Sequence, residues 1–91
     1  MKKRLHAFFS GHVQGVGFRI TTEELAQRYK VAGWVKNLRD GRVEVVAEAD
    51  ESILENFLET LQTGDMKRFI KRVELTWSNA TESFDDFRIQ Y

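Results

Sequence analysis

One stretch, Gly11-His12-Val13-Gln14-Gly15-Val16-Gly17-Phe18-Arg19, constrains this chain more than any other. Before it, Leu5, Ala7 and Phe9 alternate with His6, Phe8 and Ser10, the period-two pattern of a strand. Phe8 adds an apolar side chain to the second face, which suggests an interior strand. After it, Phe18 to Val31 is rich in helix formers, and Phe18, Leu25, Ala26 and Tyr29 can share one helical face. The run therefore joins a strand to a helix start. Glycines at such a junction let backbone N–H groups converge, and the helix N-terminus adds its positive dipole end. Arg19 can turn its planar fork to the same point, offering two parallel bonds to two anionic oxygens. The natural guest is a small phosphoryl or carboxylate group. A glycine loop can also do no more than turn the chain; Gly15 and Gly17 with an arginine two residues on favour the anion.

Thr21-Thr22-Glu23-Glu24 contains a capping box, Thr21 with Glu24, which would start the helix after Arg19 and leaves its start open by about three residues. Val31-Ala32-Gly33 ends that helix. Trp34 to Arg39 and Arg42 to Ala49 read as strands joined by a two-residue Asp40-Gly41 turn, with Val43, Val45, Ala47 and Ala49 on one apolar face. Asp50 or Ser52 caps a second helix, the latter in a box with Glu55. Ile53, Leu54, Phe57, Leu58 and Leu61 form its buried stripe and Glu51, Glu55 and Glu59 its wet side; Thr63-Gly64-Asp65 stops it. Arg72 to Trp77 alternates as a strand burying Val73, Leu75 and Trp77; Ser78 to Thr81 is loop, and Phe87, Ile89 and Tyr91 alternate in a short final strand. The order β-α-β-β-α-β plus a terminal β predicts an α+β, ferredoxin-like split β-α-β sandwich. Its five-stranded, mostly antiparallel sheet carries two helices on one face.

Ninety-one residues make one domain, 1–91. Lys+Arg and Asp+Glu balance at 14 each, so no net field draws in nucleic acid or a membrane surface. Phe8 and Trp34 could form an aromatic platform for RNA, but no basic-aromatic strand motif accompanies them. The apolar segment behind Lys2-Lys3-Arg4 is too short for a signal peptide, and no run is long enough to span a bilayer. With no cysteine there is neither a disulfide nor a thiolate nucleophile or zinc-thiolate site, which fits a cytoplasmic protein. His6 and His12 lack paired ligand spacing and read as structural; Ser10 has no base-and-orienter constellation; no carboxylate falls in the glycine loop. No metal or cofactor is therefore expected.

Asn37 is the odd polar residue in the arm Gly33-Trp34-Val35-Lys36-Asn37-Leu38. It is either a turn-adjacent residue or one that orients a ligand or a water, donating and accepting at once. Neither Arg nor Asn works as a general acid or base near neutral pH, so a site built on them acts by positioning and charge stabilisation. That suits a leaving group needing no proton, such as the carboxylate of an acyl phosphate, whose acid has a pKa of about 4.

Gly11 to Arg19, together with Gly33-Trp34-Val35-Lys36-Asn37 and Asp40-Gly41-Arg42-Val43-Glu44, resembles the two signatures of the acylphosphatase family. Their separation and the element order agree over essentially the whole chain. The resemblance implies metal-independent hydrolysis of small acyl phosphates to carboxylate and inorganic phosphate by a free-standing monomer. It implies that the loop amides of Gly15, Val16, Gly17 and Phe18 hold the phosphate with Arg19. Asn37 would hold the attacking water, whose proton passes to the substrate's own phosphate. The alternative is a non-hydrolysing module that grips an acyl or carbamoyl phosphate, since related domains occur fused to hydrogenase-maturation carbamoyltransferases. Many relatives carry glycine at Ala49, prolines within Gly64 to Arg68, and threonine at Leu38.

Overall fold

A computed structural model describes residues 1–91. The elements are β1 (Lys2–Gly11), α1 (Phe18–Tyr29), β2 (Ala32–Asn37), β3 (Val43–Asp50), α2 (Glu51–Thr63), a 3-10 turn (Lys67–Phe69), β4 (Ile70–Asn79) and β5 (Phe87–Gln90). The sheet runs β4-β1-β3-β2-β5. Three of its strand pairs are antiparallel, and β5 lies parallel to β2. Both helices cover one face. Leu5, Ala7 and Phe9 of β1 and Val43, Val45 and Ala47 of β3 bury there against Phe18, Leu25 and Ala26 of α1 and Leu54, Phe57 and Leu61 of α2. No helix is long and apolar enough to cross a membrane.

Helix α1 starts at Phe18, and the Thr21–Glu24 box is not used; Thr21 lies inside the helix, its N–H on the Gly17 carbonyl. The energetics decide this. Phe18 is 1% exposed with its ring 5.0 Å from that of Phe9, a burial worth roughly 2–3 kcal/mol. A capping box contributes about 1 kcal/mol and cannot displace it. The phenylalanine thus fixes the helix start against the mouth of the glycine loop. The helix ends at Tyr29, with Lys30 in the left-handed region at φ 57, so β2 begins at Ala32, two residues before Trp34.

The hairpin loop is also longer than Asp40-Gly41. Leu38 N–H donates to the Arg42 carbonyl at 2.8 Å, which closes a three-residue loop of Arg39, Asp40 and Gly41. Gly41 sits at φ 95, the conformation that three-residue hairpins demand of their last residue. The Arg42 backbone N–H and then its guanidinium hold the Asp40 carboxyl below its ordinary range.

At the second helix Asp50, not Ser52, is the N-cap, because Asp50 still pairs with Lys2 and β3 runs straight into α2. Strand β4 extends through Ser78 and Asn79, which are not loop. Val73 is half-buried, but Leu75 and Trp77 are 41% and 40% exposed rather than buried. They point to the helix side, yet β4 is an edge strand and the helices pack chiefly on the other four. Tyr91 falls outside β5 and is exposed. His6 is structural as expected, its Nε2 lying 2.6 Å from Glu44 Oε2; His12 is exposed, and only its backbone N–H is engaged, on the Phe69 carbonyl.

One buried charge ties the β4–β5 connection to the sheet. Glu48 is 6% exposed and accepts bonds from Thr81 N–H, Thr81 Oγ1 and Glu82 N–H, with Arg4 at 3.4 Å. Burial pushes its carboxyl up, but these donors and Arg4 outweigh burial and hold it below the ordinary value of 4.5. A carboxyl lowered on folding stabilises fully above its unfolded pKa and loses that contribution as pH falls through the folded one. Chemical denaturation at pH 7 should therefore find Glu48→Gln less stable than wild type by roughly 1–2 kcal/mol. The gap should narrow progressively below pH 4.5; an equal gap at pH 7 and pH 3 would remove the charge from the explanation.

Candidate active site

The loop after β1 delivers Gly15 and Gly17 at φ 79 and 81. A Cβ at either position would meet nothing within 4 Å, so these glycines serve the backbone conformation and leave the space above the loop open. Gly17 is the N-cap of α1. It offers no side-chain acceptor, and the first turn carries no acidic residue. The N–H groups of Phe18, Arg19 and Ile20 have no intrahelical acceptor by the geometry of a helix start. Convergent donors with the positive dipole end behind them, and no carboxylate to neutralise them, favour an anion.

A small cavity of about 160 Å³ opens at this point, lined by Val13, Gly15, Gly17, Phe18, Arg19, Ile20 and Asn37. Four of the expected phosphate-binding residues, Gly15, Gly17, Phe18 and Arg19, thus meet Asn37 across one space. Val16 does not line it, since its side chain packs back on the core and leaves only its backbone to the loop. Arg19 forms no ion pair; its guanidinium stacks over the Tyr91 ring at 5.1 Å, which keeps the fork's charge uncommitted. Asn37 comes from the end of β2 on the helix side of the sheet, in register with Val43. Its Oδ1 is the one buried side-chain oxygen or nitrogen without a hydrogen-bond partner. That exception singles out Asn37 as a candidate functional residue. A larger groove of about 630 Å³ lies between Lys3, Glu51, Glu55 and Trp77, but it brings two carboxylates together, which disfavours an anion.

The chain matches the acylphosphatase family over residues 5–89. It belongs to that family. An acylphosphatase of Salinibacter ruber is 39% identical over 98% of this chain and 94% of its own length. One of Dehalococcoides mccartyi is 44% identical over 96% and 97%. The crystal structure of acylphosphatase from Bacillus subtilis superposes with a TM-score of 0.91 at 38% identity, covering 98% of this chain and 99% of that one. The α+β, ferredoxin-like sandwich expected of an acylphosphatase is thereby the fold of this chain.

Three further residues belong to the neighbourhood. Val13 and Ile20 line the cavity, and Tyr91 supports Arg19. Val13 and Ile20 carry no polar signal, and Tyr91 lies 72 positions from the arginine it touches, so local pattern could not find them. Gln14 had the better signal, as the only primary amide inside the glycine run. The departure at Leu38 leaves the backbone intact at the hairpin neck, and Ala49 is a buried core residue that does not line the cavity.

Proposed function

We propose that this chain hydrolyses small acyl phosphates to carboxylate and inorganic phosphate, using Arg19 and Asn37 and no metal. The observation that carries this reading is the convergence of free first-turn amides, an unpaired arginine and Asn37 on one small cavity. The activity is also the one for which the full-length relatives of this acylphosphatase are named.

In this reading the amides of the loop from Gly15 to Phe18 and the fork of Arg19 bind the phosphoryl oxygens and stabilise the charge developing on them. The Asn37 side-chain amide holds a water and aims a lone pair of that water at phosphorus. The water oxygen bonds to phosphorus, the bond from phosphorus to the acyl oxygen breaks, and its electron pair leaves on the carboxylate. The water's proton passes to a phosphate oxygen of the substrate. A carboxylate leaves without protonation because its acid has a pKa of about 4, so the absence of a general acid costs nothing here. The enzyme acts as a cytoplasmic monomer, without nucleic-acid or membrane partners, on small acyl phosphates and with inorganic phosphate as product.

The cavity offers no carboxylate, imidazole or thiolate to a cation. Phosphate release from benzoyl phosphate should therefore proceed at the same rate in excess EDTA. A rate that disappears on chelation and returns with magnesium or zinc would overturn the mechanism.

A further inference from the structure

The phosphate loop and the end of β2 belong to different parts of the chain, and their spacing must be held by something. Gln14 crosses that gap. Its Nε2 donates to the Leu38 carbonyl at 2.7 Å and to the Arg42 carbonyl at 3.0 Å, across 24 and 28 residues of sequence. A carboxamide nitrogen has two hydrogens, and both are used. The two acceptors are the closing pair of the hairpin, and Leu38 is the residue directly after Asn37. Gln14 itself is directly before Gly15, so a single side chain links the first residue of the cradle to the neighbour of Asn37.

These bonds are not needed to satisfy the acceptors. The Leu38 carbonyl also accepts from Gly41 N–H, and the Arg42 carbonyl from Leu38 N–H, so each keeps a backbone partner when Gln14 is removed. The hairpin is therefore closed by its own backbone, and the amide contributes a fixed distance between two halves of a site. We propose that Gln14 is a positioning residue for hydrolysis, a strut that sets Asn37 against the phosphate cradle; the inference rests on the acyl phosphate reading above. Placement of this kind acts on attack by water and not on capture of phosphate, because the cradle amides and Arg19 stay on their own loop and helix. A displacement of about 1 Å at a reacting group can cost on the order of a hundredfold in rate.

Gln14→Leu removes both donors at similar volume, Gln14→Met does so with a flexible chain of similar length, and Gln14→Glu replaces donors by a charge facing two carbonyls. Turnover of benzoyl phosphate and inhibition by inorganic phosphate should be measured for all three beside wild type. The Leu and Met variants should lose about ten- to a hundredfold in kcat, with the phosphate inhibition constant within about threefold of wild type. Gln14→Glu should lose at least as much. A kcat within about threefold of wild type in the Leu and Met variants would overturn the strut. So would kcat and phosphate affinity falling together, or loss of folding in both, since these mark general damage to the loop. A wild type without turnover would instead remove the reading on which the strut rests, and the strut with it.

Discussion

Replacing Arg19 with alanine is expected to cut kcat/KM for an acyl phosphate by at least about a thousandfold, the scale of losing one preorganised charge stabiliser. Arg19 sits in the first turn of α1, lines the cavity, forms no ion pair and is steadied by the Tyr91 ring at 5.1 Å. Its fork is thus available for two parallel bonds to phosphoryl oxygens. Lysine restores the charge but not the fork, so Arg19→Lys should recover only a small part of the loss. The cradle amides remain in both variants, and fold stability should change little because the side chain is only half-buried. Near-wild-type kinetics in Arg19→Lys would contradict bidentate binding.

Asn37→Ala should fail differently. In the proposed mechanism Asn37 touches only the water, so its removal should lower kcat by about a hundredfold or more while inhibition by inorganic phosphate changes little. The fold should survive the substitution, since Asn37 is only half-buried at the end of β2. Asn37→Asp tests charge at constant size. A carboxylate facing the cradle should both abolish turnover and weaken phosphate inhibition. An Asn37→Ala protein with retained kcat would return the residue to the role of a strand end.

Much of this is legible in the sequence, where the physics is local. The alternation of Leu5, Ala7 and Phe9 set β1 inside the sheet, and the stripe from Ile53 to Leu61 set α2. The meeting of Gly15, Gly17 and Arg19 at one cavity was legible because glycine spacing and a following arginine are themselves local. Where two local readings stood open, or a local preference misled, a distant contact decided. Burial of Phe18 on Phe9 overrode the Thr21–Glu24 box, and pairing of Asp50 with Lys2 overrode Ser52–Glu55. Strand order could not be read from β4 itself, so Leu75 and Trp77 looked like core until the strand proved to be an edge. The role of Glu48 was invisible for the same reason, and Gln14, though singled out as the only amide in the glycine run, gave no sign of its partners, because these lie 24 to 44 residues away.

The central claim is that this site hydrolyses by positioning and charge stabilisation alone, with no acid to protonate a leaving group. Its most direct test compares wild-type kcat/KM for benzoyl phosphate and phenyl phosphate, both in excess EDTA. The carboxylate leaving group has a conjugate acid of pKa about 4, and the phenolate one of about 10, a difference of roughly 8 kcal/mol in proton affinity. Only part of that difference need appear in the barrier to separate the substrates by at least about a thousandfold. The account predicts ready release of phosphate from benzoyl phosphate and almost none from phenyl phosphate. Comparable rates on the two would show that a proton donor serves the leaving group and would contradict it.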